Sequence, residues 1–246
     1  MQPSDLDQRL SRIATLWTVV FRAHEGGADG AQEARNRLML RYSGAVYRYL
    51  LGAVRDPEVA SDLCQEFALR FLRGDFRRAA PERGRFRDYV KSALINLVND
   101  HHRAQKAKPR PLASGAAEPA APAEVSLPSD ADFVSGWRTE LLNQTWAALA
   151  EVNAAYHAAL LLRIENPDMQ SAETAQRLTE KLGRPITPEN ARKALQRAHT
   201  KFAELLLDQV AASLSEPTDA QLSEELQALD LLKYCRSALE RRKSGP

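Results

Sequence analysis

Apolar residues recur at intervals of three and four along most of the chain, and strict alternation is nearly absent, so the pattern predicts helices throughout. The clearest pair lies between Asp56 and Arg103. In DPEVASDLCQEFALRFLR, Val59, Leu63, Phe67 and Phe71 fall every four residues into one apolar stripe. Asp56-Pro57 opens this helix, because the N–H that proline lacks has no partner in a first turn anyway. The opposite face carries Asp62, Gln65 and Glu66. Asp62 and Glu66 are like charges four apart, a cost of about 0.2–0.5 kcal/mol in an isolated helix. Arg70, four residues beyond Glu66, offsets part of that cost. A stripe of acids and amides is most often only a solvated face. The second helix, FRDYVKSALINLVNDHHR, sets Phe86, Val90, Leu94, Leu97 and His101 at helical spacing, widened by Tyr89, Ala93 and Val98. Its remaining surface collects Ser92, Asn96, Asn99, His102 and Arg103, with Arg87 and Lys91 nearby. Asparagine is a poor helix former because its amide competes for the backbone. Two of them among cations suit either an ordinary polar face or one that bonds base edges and phosphates.

The same periodicity predicts further elements. Asp5 to His24 reads as an amphipathic helix broken by EGGADG, with Trp17 and Phe21 facing a core. Ala31 to Val54 follows, turning Leu38, Tyr42, Val46, Tyr49 and Leu50 inward and Arg35, Arg37, Arg41 and Arg48 outward. The loop from Gly74 to Arg85 holds four arginines, Arg77, Arg78, Arg83 and Arg85. After Arg103 the pattern stops. AQKAKPR and PLASGAAEPAAPAEVSLPSDAD are rich in proline, alanine and small polar residues, which cannot bury enough surface to offset the entropy of ordering. From Gly136 the helical period returns with Trp137, Leu141, Thr145 or Trp146, and Leu149, and Tyr156 to Ile164 is a largely apolar helix. SAETAQRLTEKLGRPITPENARKALQRAHTKF then reads as helix-turn-helix. Ser171 is expected to cap its first helix and Gly183 to end it in a left-handed conformation. Thr187-Pro188-Glu189 opens the next helix with a cap, a first-turn proline and an acid against the dipole. There Ala191, Leu195, Ala198, Phe202 and Leu205 face inward, while Arg192, Lys193, Gln196 and Arg197 stand outward. Leu222, Leu226, Leu229 and Leu232, with Tyr234, Cys235, Ala238 and Leu239, suggest two short helices in the tail. The expected division is a helical domain over 1–105, a linker over 106–134, a helix-turn-helix domain over 135–212 and a helical extension over 213–246. The fold class is all-α.

Charge sharpens this picture more than length does. The 246 residues carry a net charge of only +2. Residues 1–110, however, hold 20 Lys and Arg against 13 Asp and Glu, a balance of +7, and so form the end suited to a polyanion. Two cysteines, Cys64 and Cys235, form no metal-ligand spacing with the five histidines. No metal or cofactor is expected. There is no glycine-rich phosphate loop, nucleophile motif or convergent acid/base cluster, which argues against an enzyme. No apolar run reaches membrane-spanning length and MQPSDLDQRLSR is unlike a signal peptide, so a cytoplasmic setting without membrane contact is expected.

The residues Asp62-Leu63-Cys64-Gln65-Glu66, followed by Phe86-x-x-Tyr89-Val90 and Asn96-x-x-x-Asp100-x-x-Arg103, resemble region 2 of extracytoplasmic-function (ECF) sigma factors, the compact group of the sigma-70 family. LMLRYSGAVYRYL, Leu38 to Leu50, resembles the opening of that region. The resemblance implies a subunit without catalysis that directs bacterial RNA polymerase to promoters. It implies that Asp62, Gln65 and Glu66 dock on the coiled-coil clamp of the polymerase's largest subunit. It also implies that Asn96, Asn99 and Arg103 hold the melted minus-ten strand, with Asn96 on a flipped base beside the basic loop. The helix-turn-helix then takes the place of region 4, in which Arg192, Lys193, Gln196 and Arg197 would meet the minus-thirty-five duplex. The chain departs from the family at Ala68, where Phe is usual, and at Ala150-Glu151-Val152, where region 4 usually opens with Leu-Pro. The turn LGRPITPE is longer than the family's, and Ser213 to Pro246 has no counterpart. That extension is open to three roles: packing on the helix-turn-helix, inhibiting it, or binding an antagonist or regulator. The rival from another class is a helical adaptor that binds polymerase or a signalling partner without recognising promoters.

Overall fold

The computed structural model describes residues 6, 8–13, 39–73, 85–107, 127–214 and 217–243. All regular structure among them is helical, as the periodicity predicts. The helix expected over residues 5–24 is described only at its start, where residues 8–13 are helical. Trp17, Phe21, Arg35, Arg37, most of the basic loop and linker residues 108–126 lie outside the described residues. Two compact units divide between Trp137 and Arg138.

In the first unit, α1 (Ser43–Val54), α2 (Pro57–Arg73) and α3 (Phe86–Ala107) pack on one another. The helix expected from Ala31 is interrupted at Tyr42, whose φ of −105° and ψ of 8° break the regular helix before Ser43. Arg55 ends α1 in a left-handed conformation, φ 56°, its N–H donating to the Leu51 carbonyl at 2.8 Å. The Asp56 carboxylate then accepts from the N–H groups of Glu58 and Val59 at 2.8 and 3.1 Å, so one short turn closes one helix and caps the next. Most of the two stripes read from the sequence is core, while Val59, Phe86 and His101 are only half-buried. Leu63, Phe67 and Phe71 of α2 and Val90, Leu94 and Leu97 of α3 are buried against Tyr42, Val46, Tyr49 and Leu50. Phe67 and Ala68 are both fully buried, so the phenylalanine displaced by one position still fills the interior. Arg87 corrects the reading. It is buried rather than part of the polar surface, because it stands seven residues before Leu94, nearly two whole turns, and shares the core stripe.

The long helix α4 (Asp130–Val152) begins inside the stretch read as linker, and α3 continues to Ala107, so helical structure enters that stretch from both ends. The reason for the early start is a reciprocal cap. Ser129 Oγ accepts from the Asp132 N–H at 3.1 Å, and the Asp132 carboxylate accepts from the Ser129 N–H at 2.9 Å and its hydroxyl at 2.7 Å. These hydrogen bonds hold the Asp132 carboxyl below the usual carboxylate range. Within the first unit Phe133 packs edge-on to Tyr49, and Trp137 stacks on Tyr42 with ring centroids 3.8 Å apart and planes 9° from parallel.

In the second unit, α5 (Ala154–Glu165), α6 (Ser171–Leu182) and α7 (Pro188–Ala211) form a compact group. Its core is small and aliphatic, with Ala158, Ala159, Leu162, Ala175, Leu178 and Ala191 together. Of the two alternatives in α4, Thr145 is fully buried, its hydroxyl donating to the Leu141 carbonyl, while Trp146 packs at the edge against Phe202. Ser171 is the first helical residue of α6 rather than its cap. The extended Gln170 holds the cap position, without a side-chain bond, so the serine's backbone is already helical. Two helices of the extension, α8 (Asp219–Ala228) and α9 (Leu232–Lys243), pack on each other and on α7. Leu222, Leu226, Leu229, Leu231, Cys235, Ala238 and Leu239 are buried there.

Candidate nucleic-acid interface

Helix α3 presents Asn96, Asn99 and Arg103 to solvent on one face, at a spacing of three and four residues. The buried side of the same helix orients this face, because Val90, Leu94, Leu97 and Val98 bind it to α1 and α2. On α2, Asp62 and Gln65 are exposed and Glu66 is half-buried. The structure joins these two sets. Arg70 Nε donates to Glu66 Oε1 at 2.8 Å, and Arg70 Nη1 reaches across to Asp100 Oδ2 on α3 at 3.0 Å. The other Asp100 oxygen accepts from Arg103 Nη1 at 3.4 Å. A chain Glu66–Arg70–Asp100–Arg103 therefore runs from the acidic face of α2 to the basic edge of α3. The hydrogen bond to Glu66, with support from Asp100, raises the Arg70 guanidinium further above its ordinary value and keeps it charged.

The bridge to Asp100 is the feature sequence reasoning missed. The Glu66–Arg70 pair is visible in the sequence as a four-residue spacing, but Asp100 lies 30 residues further on. Helical spacing cannot say which turn of α3 faces which turn of α2. The bridge also refines the role of Glu66. One of its oxygens is engaged by Arg70, so Asp62 and Gln65 are the more open groups on that face.

In the second unit, Arg192, Lys193, Gln196 and Arg197 are all exposed on the N-terminal half of α7. Lys193 pairs with Glu189 one turn earlier at 2.6 Å. The turn leading into this helix is braced on both sides. Gly183 ends α6 at φ 67°, and the Thr179 hydroxyl accepts from the Ile186 N–H at 2.9 Å. The Thr187 hydroxyl then caps α7 by accepting from the Asn190 N–H at 3.2 Å. The longer turn is thus an ordered connection of residues 183–187. Beside the basic face a groove of about 390 Å³ is lined by Tyr156, Gln196, Arg197, Thr200, Lys201 and Glu204.

Cys64 and Cys235 are buried, which pushes both thiols up, that of Cys235 to about 12. Among the described residues no group of His, Cys, Asp and Glu could hold a metal ion, and no helix is long and apolar enough to cross a membrane.

Comparison with known families gives one segment a name. Residues 38–108 match Sigma-70 region 2. The match is to that segment, 71 of the 246 residues, and it carries the region 2 resemblance read from the sequence. Members of the sigma-70 family are transcription initiation factors without catalysis of their own. The matched segment contains α1, α2 and α3 whole, together with the ion-pair chain between the last two. Neither the curated proteins nor the solved structures contain a match to the chain.

Proposed function

We propose that the chain is a promoter-specificity subunit of the ECF type, acting in the cytoplasm, which recognises both promoter elements. The observation that carries this reading is the exposure of Asn96, Asn99 and Arg103 on one face of α3, within the segment that matches Sigma-70 region 2. In this reading Asp62, Gln65 and Glu66 dock on the clamp of the polymerase's largest subunit. Asn96 bonds the edge of an unstacked base, Asn99 supports it, and Arg103 neutralises a neighbouring phosphate. Melting exposes Watson–Crick edges, and a short amide on a rigid helix can bond them without much side-chain entropy being lost. Residues 135–212 serve as the second reader. Arg192, Lys193, Gln196 and Arg197 meet the minus-thirty-five duplex, where arginine can pair both acceptors of a guanine.

Run-off transcription with purified core polymerase and a library of promoter fragments tests this. Selective transcripts that disappear with Asn96→Ala are the expected result. Capture of core polymerase without selective transcripts, unchanged when 213–246 is deleted, would instead assign the chain to the adaptor class. Loss of all polymerase binding would end both readings.

A further inference from the structure

The extension beyond α7 is divided by charge. Helix α8 carries Asp219, Glu224 and Glu225, whereas α9 carries Lys233, Arg236, Arg241, Arg242 and Lys243 against a single acid, Glu240. All five of those cations are exposed, and so is Tyr234, with Lys233 Nζ 5.1 Å from the centre of its ring. The helix dipole accounts for the three cations of the last turn, and Asp230 pairs with Lys233 at 3.5 Å, but neither accounts for Arg236 in the middle of the helix.

The extension also has a definite place on α7. Ala203, Leu206, Leu207 and Val210 are buried on the half of α7 that carries α8 and α9. Arg192 precedes Ala203 by eleven residues and Gln196 precedes it by seven, both close to whole numbers of helical turns. The extension therefore sits on the continuation of the side that presents Arg192 and Gln196, and leaves those residues exposed. At the far end, Arg241 Nη2 meets Glu204 Oε1 at 3.4 Å, joining α9 to the groove that holds Arg197 and Lys201. Cations of α7 and α9 thus converge on Glu204, whose two carboxylate oxygens pair with Lys201 and Arg241, each at 3.4 Å.

The geometry points to α9 as an accessory contact for the phosphate backbone of duplex DNA, made by Arg236, Arg242 and Lys243 beside the groove entered by α7. This inference rests on the proposed role of α7 as a duplex-binding helix. Phosphate contacts carry no sequence preference but each steepens the salt dependence of binding.

The test uses the full-length chain and a fluorescein-labelled duplex of random sequence, titrated by anisotropy over a series of salt concentrations. The triple variant Arg236→Gln, Arg242→Gln, Lys243→Gln is compared with the parent chain and with Arg192→Gln, Arg197→Gln. All five residues are exposed, and circular dichroism melting confirms that the variants stay folded. The expected result is a slope of log affinity against log salt that is shallower by about 2–3 in the triple variant. An unchanged slope in the triple variant, with weaker binding in the α7 double variant, overturns the role of α9 and leaves that of α7 standing. Absence of duplex binding by the parent chain overturns both. Reduced capture of core polymerase by the triple variant with an unchanged DNA slope also overturns the inference, and assigns α9 to an acidic protein surface.

Discussion

The two units present polar residues to solvent by different means. In the first, the core is aromatic, with Tyr42, Tyr47, Phe67 and Trp137 all nearly inaccessible, and the surface groups are tied between helices through Arg70 and Asp100. In the second, the core is alanine and leucine, and the basic residues rise from a single helix whose entry is set by caps and a braced turn. The difference teaches where precision comes from. A face shared by two helices depends on their packing and register, so its geometry is only as sound as the core beneath. A face on one helix depends mainly on how that helix starts and on what holds it down.

The strongest challenge to this contrast is Trp137→Ala. Losing a fully buried ring stacked on Tyr42 should cost about 3–5 kcal/mol in urea denaturation, and a cost below that of a typical surface change would show that the aromatic core does not carry the first unit. Next come the proposed DNA contacts. Arg197→Ala should remove about 1–3 kcal/mol of discrimination at one base pair, read by competition between duplexes, while leaving strand opening unaltered. Asn96→Ala should do the reverse, lowering open-complex yield measured by permanganate reactivity and sparing duplex affinity. If both variants lose the same step, the division of labour between the two faces fails.

Smaller effects sharpen the comparison. Gly183→Ala and Thr187→Ala should each destabilise the second unit by about 1 kcal/mol, through the left-handed turn and the lost cap. Arg70→Gln should cost about 0.2–1 kcal/mol, because its partners are partly exposed and salt screens them. Its larger signature is a change in open-complex yield, if the chain from Glu66 to Arg103 positions the DNA face. The smallest effect concerns pH. Asp132 is depressed by its bonds to Ser129, so its stabilisation of α4 is present above the ordinary carboxylate range and is lost as pH falls through the lower, folded-state value. Thermal melts across acidic pH should show that component, and Ser129→Ala should erase it.

Much of this protein is written in local spacing. The all-helical class, the buried stripes of α2 and α3, the left-handed Gly183, the Thr187 cap and the exposed positions Asp62, Gln65, Asn96, Asn99, Arg103, Arg192, Lys193, Gln196 and Arg197 follow from which residues lie three and four apart. Such relations lie within a single helix and need no partner to be known. Local spacing was less reliable where one position could serve two purposes. Ser171 has the chemistry of a cap, yet Gln170 holds that place, and Arg87 looks polar but shares the buried face of Leu94.

Packing decided the rest. The bridge from Arg70 to Asp100, the stack of Trp137 on Tyr42 and the side of α7 that receives the extension all join residues far apart in the chain. Each depends on the register between two helices, which side-chain volumes and ridges settle only when the surfaces meet. A helical period says which face is buried. It does not say what that face is buried against.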